Sequence, residues 1–219
     1  MAADVGRATG LHLHVLDHDE EGSLTLLGVT GGRPLDHESL VIDVGGGSSE
    51  FVVARPNERP AATGLPIGAS RLTNAIVEHD PPTGDELHGL FETARELVAD
   101  APEADPARIV VVGGTASNLV RVVPDAAADR AFTRRRIAAA LVLFSVQTAA
   151  EIATHFEVRP MRARILPAGA AIMGAILERY GARRLYASDA GIREGAILAA
   201  ARAGPGWRDA LAEVTLGWS

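Results

Sequence analysis

The ten residues V-I-D-V-G-G-G-S-S-E at 41–50 carry the densest chemistry in the chain. Three consecutive glycines let the backbone reach positive φ and approach a ligand closely. Successive N–H groups in such a turn form a nest for an anion. Gly45, Gly46, Gly47 and Ser48 therefore read as a phosphate-type cradle, with Ser49 as a further hydroxyl donor. Asp43 ends the strand before the turn, a position suited to a metal ion or a metal-bound water. Glu50 begins the strand after it. A bare Gly-Gly-Gly would be an ordinary hairpin turn; the full D-x-G-G-G-S-x-E string is far more specific.

A second turn, V-V-G-G-T-A-S-N at 111–118, joins a buried strand to a helix start. Free N–H groups and the helix dipole make such an end an anion site, here built on Gly113, Gly114 and Thr115. The competing reading is a plain Gly turn with Thr115 as helix cap. In D-H-D-E-E at 17–21, the four carboxylates suit a solvated helix start. One of the two glutamates is alternatively a general base for water attack. In S-D-A-G-I-R-E-G at 188–195, Ser188 or Asp189 can cap the last helix, and Arg193 either faces an anion or is structural. The seven histidines show no metal-ligand spacing; His12 and His14 read as half-exposed strand residues. Arg134, Arg135 and Arg136 read as a solvated helix start, and Ser145 has no triad setting.

Composition narrows the chemistry further. The 219 residues suffice for one large or two small domains, and 47% hydrophobic content supplies a core of Ala, Val, Leu and Ile. No cysteine is present, which removes thiolate chemistry and disulfides. No lysine is present either, so any cationic clamp must use arginine. A net charge of -7 disfavours a nucleic-acid polymer as partner. No apolar run reaches the roughly 18–20 residues of a membrane span. The start lacks a signal-peptide pattern. The expectation is a soluble, cytoplasmic protein with no membrane partner.

These turns need elements to hold them. Residues 11–16 alternate as a strand, and 20–30 read as a helix with Leu24, Leu27 and Gly28 on one side. Residues 39–44, 50–55 and 61–67 read as three strands, the first two forming a hairpin. Thr83 with Glu86 forms a capping box for a helix running to about residue 99. Residues 108–113 read as a buried strand leading into the helix after Gly114. One or two helices follow over 133–157 and another over 160–180, broken or capped at Pro167. A strand at 184–188, a helix at 191–203 and a loosely attached tail complete the chain. From residue 39 onward this βββαβαβα order favours an α/β fold, a mixed sheet flanked by helices of the ribonuclease H-like kind found in the actin-like ATPase superfamily.

These segments, in this order, resemble the Ppx/GppA family of exopolyphosphatases and guanosine pentaphosphate phosphohydrolases. The resemblance rests on E-E-G-S-L-T-L-L-G-V at 20–29, V-I-D-V-G-G-G-S-S-E-F-V at 41–52 and L-P-I-G-A-S-R-L at 65–72. It continues through V-V-G-G-T-A-S-N-L at 111–119, I-L-P-A-G-A-A-I at 165–172 and S-D-A-G-I-R-E-G at 188–195. It implies release of terminal phosphate from inorganic polyphosphate or guanosine pentaphosphate with Mg²⁺. It also implies an actin-like two-domain fold with substrate in the cleft. By motif, Glu21 corresponds to the water-activating Glu, Asp43 to the metal- or water-orienting Asp, and Glu50 to a second acid. Arg71 and Arg193 are candidate contacts for the substrate anion.

The chain departs from the family pattern in two places. Residues 1–35 correspond only to the last strand and helix of the first domain, 36–203 to the whole second domain, and 204–219 to a tail. The opposite phosphate loop of the first domain has no counterpart. Gly22 and Ser23 stand where Ala and Arg usually follow the catalytic Glu. These departures leave a truncated, non-catalytic fragment that binds a polyanion or nucleotide, such as guanosine tetraphosphate, as the competing reading. They also lead us to expect Leu24 and Leu27 to lack cover, and hence a homodimer or other self-association.

Overall fold

The computed structural model describes residues 2–10 and 15–216, without the side chains of residues 2–5. Helix α1 (Ala2–Thr9) precedes α2 (His18–Thr30). Three strands follow, β1 (Ser39–Val44), β2 (Ser49–Ala54) and β3 (Ala61–Leu65), then α3 (Ala69–Ile76) and α4 (Gly84–Val98). Strand β4 (Arg108–Val112) leads directly into α5 (Gly113–Val122). Next come α6 (Ala126–Asp129), β5 (Ala131–Phe132), α7 (Arg134–Phe144), α8 (Ala149–His155), α9 (Pro160–Ala163) and α10 (Leu166–Arg179). Strand β6 (Leu185–Ala187), α11 (Ile192–Ala203), a 3₁₀ turn at 204–206 and α12 (Leu211–Val214) finish the described chain.

The six strands form one sheet in the order β3-β2-β1-β4-β6-β5. Strands β1, β2 and β3 pair antiparallel, while β4 runs parallel to both β1 and β6. This is the mixed, ribonuclease H-like arrangement expected from the element order. The large core lies on the face built from Leu40, Ile42, Phe51, Ile109 and Val111. Helix α10, buried from Leu166 to Leu177, fills its centre. The opposite face, from Val41, Val52, Val110 and Val112, is covered by α2 through Leu26.

Local sequence accounts for several boundaries. Thr83 and Glu86 make the expected capping box on α4, and Thr148 with Glu151 makes another on α8. Asp17 caps α2 with Glu20, so the helix begins two residues before the expected start. Pro167 lies in the first turn of α10, where its missing N–H costs nothing. The strand expected over 11–16 falls mostly outside the described residues; Val15 and Leu16 are not in strand conformation. Strand β5 and helix α3 have no clear local signal. The first is two residues long and pairs with β6, and the second has no side-chain cap.

Two expectations about exposure are corrected. Leu24 and Leu27 are each 1% exposed, because α11 and α12 cover them with Ala199, Leu211 and Val214. At roughly 2 kcal/mol per buried leucine, this docking is substantial. The same contacts hold the tail: Trp207 packs into this cluster, and Arg208 lies 4.0 Å from the Glu20 carboxylate. The apolar periodicity of α2 was legible, but its cover comes from residues far along the chain.

The α2–α11 contact is backbone to backbone. A methyl group on Gly195 would lie 1.8 Å from the Leu24 carbonyl oxygen, and one on Gly28 would lie 2.0 Å from the Gly191 oxygen. Gly195→Ala is therefore expected to force the helices apart and cost about 3 kcal/mol. Urea denaturation of the two proteins checks this, and an unchanged midpoint would contradict the packing.

Candidate active site

The parallel strands β1 and β4 end at the same edge of the sheet, where ligands of open α/β sheets bind. Asp43, near the end of β1, stands opposite Glu50 in the β1–β2 ladder. Cross-strand partners share a face with Cβ atoms about 5 Å apart, and like charges there repel. Both acids lie on the face covered by α2, whose first turn brings Glu21. Gly22 allows this approach: a methyl group there would be 2.8 Å from Ala62 Cβ and 3.1 Å from a Val52 methyl. The departure from Ala at this position thus has a packing counterpart.

Two of these carboxylates, Asp43 and Glu21, are raised by their surroundings. Burial pushes the Asp43 carboxyl up from 3.8 to about 6, and the charges of Glu50 and Glu21 add to the rise. Burial also raises Glu21, with Glu50 reinforcing the effect and His18 opposing it. The Ser48 hydroxyl donates to Glu50 Oε1 at 2.8 Å, which fixes one side of the group. Such an oxygen-rich cluster suits a hard cation. Among the described residues, no three His, Cys, Asp or Glu side chains converge into a ready-made metal cage.

The Gly-rich turn is held from behind. Ala69 and Arg71 donate their backbone N–H groups to the Gly45 and Gly46 carbonyls at 3.0 and 2.9 Å. Arg71 Nε donates to the Gly47 carbonyl at 2.8 Å. The loop therefore terminates α3 at its N-terminal end, replacing a side-chain cap. A methyl on Gly68 would lie 2.5 Å from the Gly46 backbone, so the two segments touch. Ser49 is buried and its hydroxyl donates to the Ile67 carbonyl at 2.7 Å, so it supports the turn and is closed to a ligand. With the carbonyls engaged, the N–H groups of Gly46, Gly47 and Ser48 have no acceptor among the described residues. They are free to face an anion, as successive N–H groups in a nest do.

The second turn meets the first at Asp43. Gly113 has φ +90, and a methyl there would be 2.2 Å from Asp43 Oδ1. Glycine is needed both for the backbone and for the carboxylate. Thr115 is inside α5 and does not cap it; the cap position is Val112, which offers no side-chain bond. Thr115 is 2% exposed, and its hydroxyl has no hydrogen-bond partner among the described residues. The first-turn N–H groups of α5 lack intrahelical acceptors.

Of the two candidate arginines, Arg71 joins the loop, and its terminal guanidinium nitrogens have no partner among the described residues. Arg193 is exposed on the first turn of α11; the hydrogen bond from the Gly191 N–H holds the neighbouring Glu194 carboxyl below its usual range, with the Arg193 charge as a lesser contribution. No contact ties it to either glycine turn among the described residues. The α11 cap is formed by Gly191 and Glu194; Asp189 instead pairs with Arg130 at 2.6 Å. Two residues escaped the sequence reading. Arg162 places its Nη1 3.4 Å from where a Gly114 methyl would be, over the start of α5. His18 lies against Gly64, the strand partner of Glu50. Arg162 carries no local signal, since its contact comes from a distant segment. His18 was inside a recognised acidic string but read as helix start only.

The sequence profile of the Ppx/GppA phosphatase family matches residues 1–203. The chain belongs to this family. Exopolyphosphatase 1 of Mycobacterium leprae is 30% identical over 213 residues, covering 89% of this chain and 61% of that protein. Exopolyphosphatase 2 of Mycobacterium tuberculosis is 29% identical over 223 residues, covering 92% and 68%. A crystal structure of the Aquifex aeolicus Ppx/GppA family member superposes with a TM-score of 0.79 at 29% identity, covering 92% of this chain and 68% of that one. The chain thus spans about 60% of the length of the Exopolyphosphatase 1 relative.

The Ppx/GppA acid cluster has a consequence for stability. Asp43 is raised in the folded state, so its ionised form is disfavoured there relative to the unfolded chain. The protein is unaffected below about pH 3.8 and loses stability as pH rises through about 6. The difference corresponds to about 3 kcal/mol at neutral pH. In metal-free buffer, Asp43→Asn is expected to raise the melting midpoint at pH 8 and to leave it unchanged at pH 3.5. Equal shifts at both pH values would contradict this assignment.

Proposed function

We propose that the chain acts as a Ppx/GppA-type hydrolase of phosphoanhydride bonds. Its substrates are inorganic polyphosphate, guanosine pentaphosphate or both, and the reaction releases terminal phosphate with Mg²⁺ as cofactor. The observation that carries this reading is the meeting of Glu21, Asp43 and Glu50 with two sets of open backbone N–H groups. Water attack on phosphorus needs a base on one side and neutralisation of phosphate charge on the other.

Glu21, raised by burial and by Glu50, is the group that takes the proton from water. Gly46, Gly47 and Ser48 donate N–H groups to the phosphate oxygens. Gly113, Gly114 and Thr115 present the positive end of α5 from the other side, with Arg162 above it. Asp43 would hold Mg²⁺, which is usually bound through one or two carboxylates, waters and substrate phosphates. The ion would supply charge neutralisation for the phosphate and relieve the repulsion among the three acids.

The exposure of Gly47 and Ser48 favours a second reading, binding of polyphosphate or guanosine tetraphosphate without turnover. An open site leaves charge stabilisation weaker than a water-excluded one. Phosphate release from polyphosphate and from guanosine pentaphosphate distinguishes the two. Glu21→Gln is expected to lower Mg²⁺-dependent release by about 10²–10⁴-fold while leaving polyphosphate binding intact. Equal rates in both proteins would overturn the role of Glu21. Binding without release in the wild type would establish the second reading.

A further inference from the structure

At the opposite end of β1 and β4, an opening runs along the edge of the sheet face that α2 covers. There a groove of about 440 Å³ opens, within the range of small-molecule sites. Its floor is Val41 and Val110, with Leu26 and Val29 of α2 forming one wall. Arg33 and Arg108 stand at its rim.

Two features separate this groove from an ordinary gap. First, two cations at its rim have no counterion among the described residues. The Arg33 side chain donates through Nε to the Thr30 carbonyl at 3.2 Å, and its terminal nitrogens have no partner among those residues. Arg108 has no carboxylate partner among the described residues. By contrast Arg130, also lining the groove, is neutralised by Asp189 at 2.6 Å and donates to the Ala187 carbonyl. Asp36 is the remaining acid in the lining, so the open charge is cationic. Second, Arg108 is backed by an aromatic ring. Its guanidinium carbon lies 4.6 Å from the Tyr186 ring centroid, and the residue is otherwise exposed. A planar cation backed by an aromatic ring stacks well on another flat ring.

We propose that this groove binds a small anion carried on a flat ring. The ring would lie on Arg108 above the apolar floor, and its phosphate or carboxylate would reach Arg33. Both nucleoside monophosphates and aromatic carboxylates share this chemistry. The site is separate from the acid cluster and does not depend on the activity proposed for it.

Calorimetric titrations of the full chain with adenosine monophosphate and 4-hydroxybenzoate test the proposal, with ribose 5-phosphate as a control that lacks a flat aromatic ring. At least one ring-bearing anion is expected to bind, and which one does separates phosphate from carboxylate recognition. Arg33→Ala and Arg108→Ala should each weaken that binding by about tenfold or more. Both side chains are exposed, so each variant should keep the wild-type melting midpoint without ligand. Asp43→Asn should bind as the wild type does, which distinguishes the groove from the acid cluster. Absence of binding by both ring-bearing anions would overturn the proposal. Equal affinity for ribose 5-phosphate, or binding unaltered by both arginine variants, would do so too.

Discussion

The seating of α2 between the sheet and α11 is the constraint on which the site depends. Gly22 lets its first turn rest on Val52 and Ala62, while Gly28 and Gly195 let its later turns meet α11 at backbone distance. Leu24 and Leu27 then fill the interface with the C-terminal segment. Without this seating, Glu21 would be an exposed acid at a helix start. With it, Glu21 lies close enough to Glu50 and Asp43 for their charges to be felt. Packing energy from apolar side chains thus offsets the electrostatic cost of gathering carboxylates.

The two glycine turns solve a second problem. Successive backbone N–H groups can face one anion only where the neighbouring carbonyls point elsewhere and find their own donors. The Gly45 and Gly46 carbonyls are taken by α3, and the Gly47 carbonyl by Arg71. One small helix is thereby capped and one loop oriented by the same bonds. At the other turn, the space a side chain would occupy on Gly113 is filled by the Asp43 carboxylate. The acid and the helix N-terminus are neighbours because residue 113 has no Cβ.

Much of the fold was legible because its signals are local. Alternating or continuous apolar strands, capping boxes at Thr83 and the Gly-rich breaks mark the elements within a few residues. The short elements were not legible. Helix α3 depends on carbonyls from the loop, and β5 exists through pairing with β6. The docking of the C-terminal segment was not legible either. Its Gly-Pro-Gly break suggested detachment, yet Trp207, Leu211 and Val214 find an apolar face formed by distant residues.

The residue types and spacing by themselves determined the strand-turn-strand around Asp43 and Glu50, the second turn at Gly113, and the acid-rich start of α2. Those are properties of neighbouring residues, where backbone conformation and side-chain period decide. Tertiary structure alone decided that Thr115 is buried within α5. It also decided that Arg162, and not Arg193, stands over the start of that helix. Each of these depends on the distance between segments far apart in the chain. Such distances are set by how closely helices and sheet can pack, a quantity that the spacing of residues along one segment does not contain.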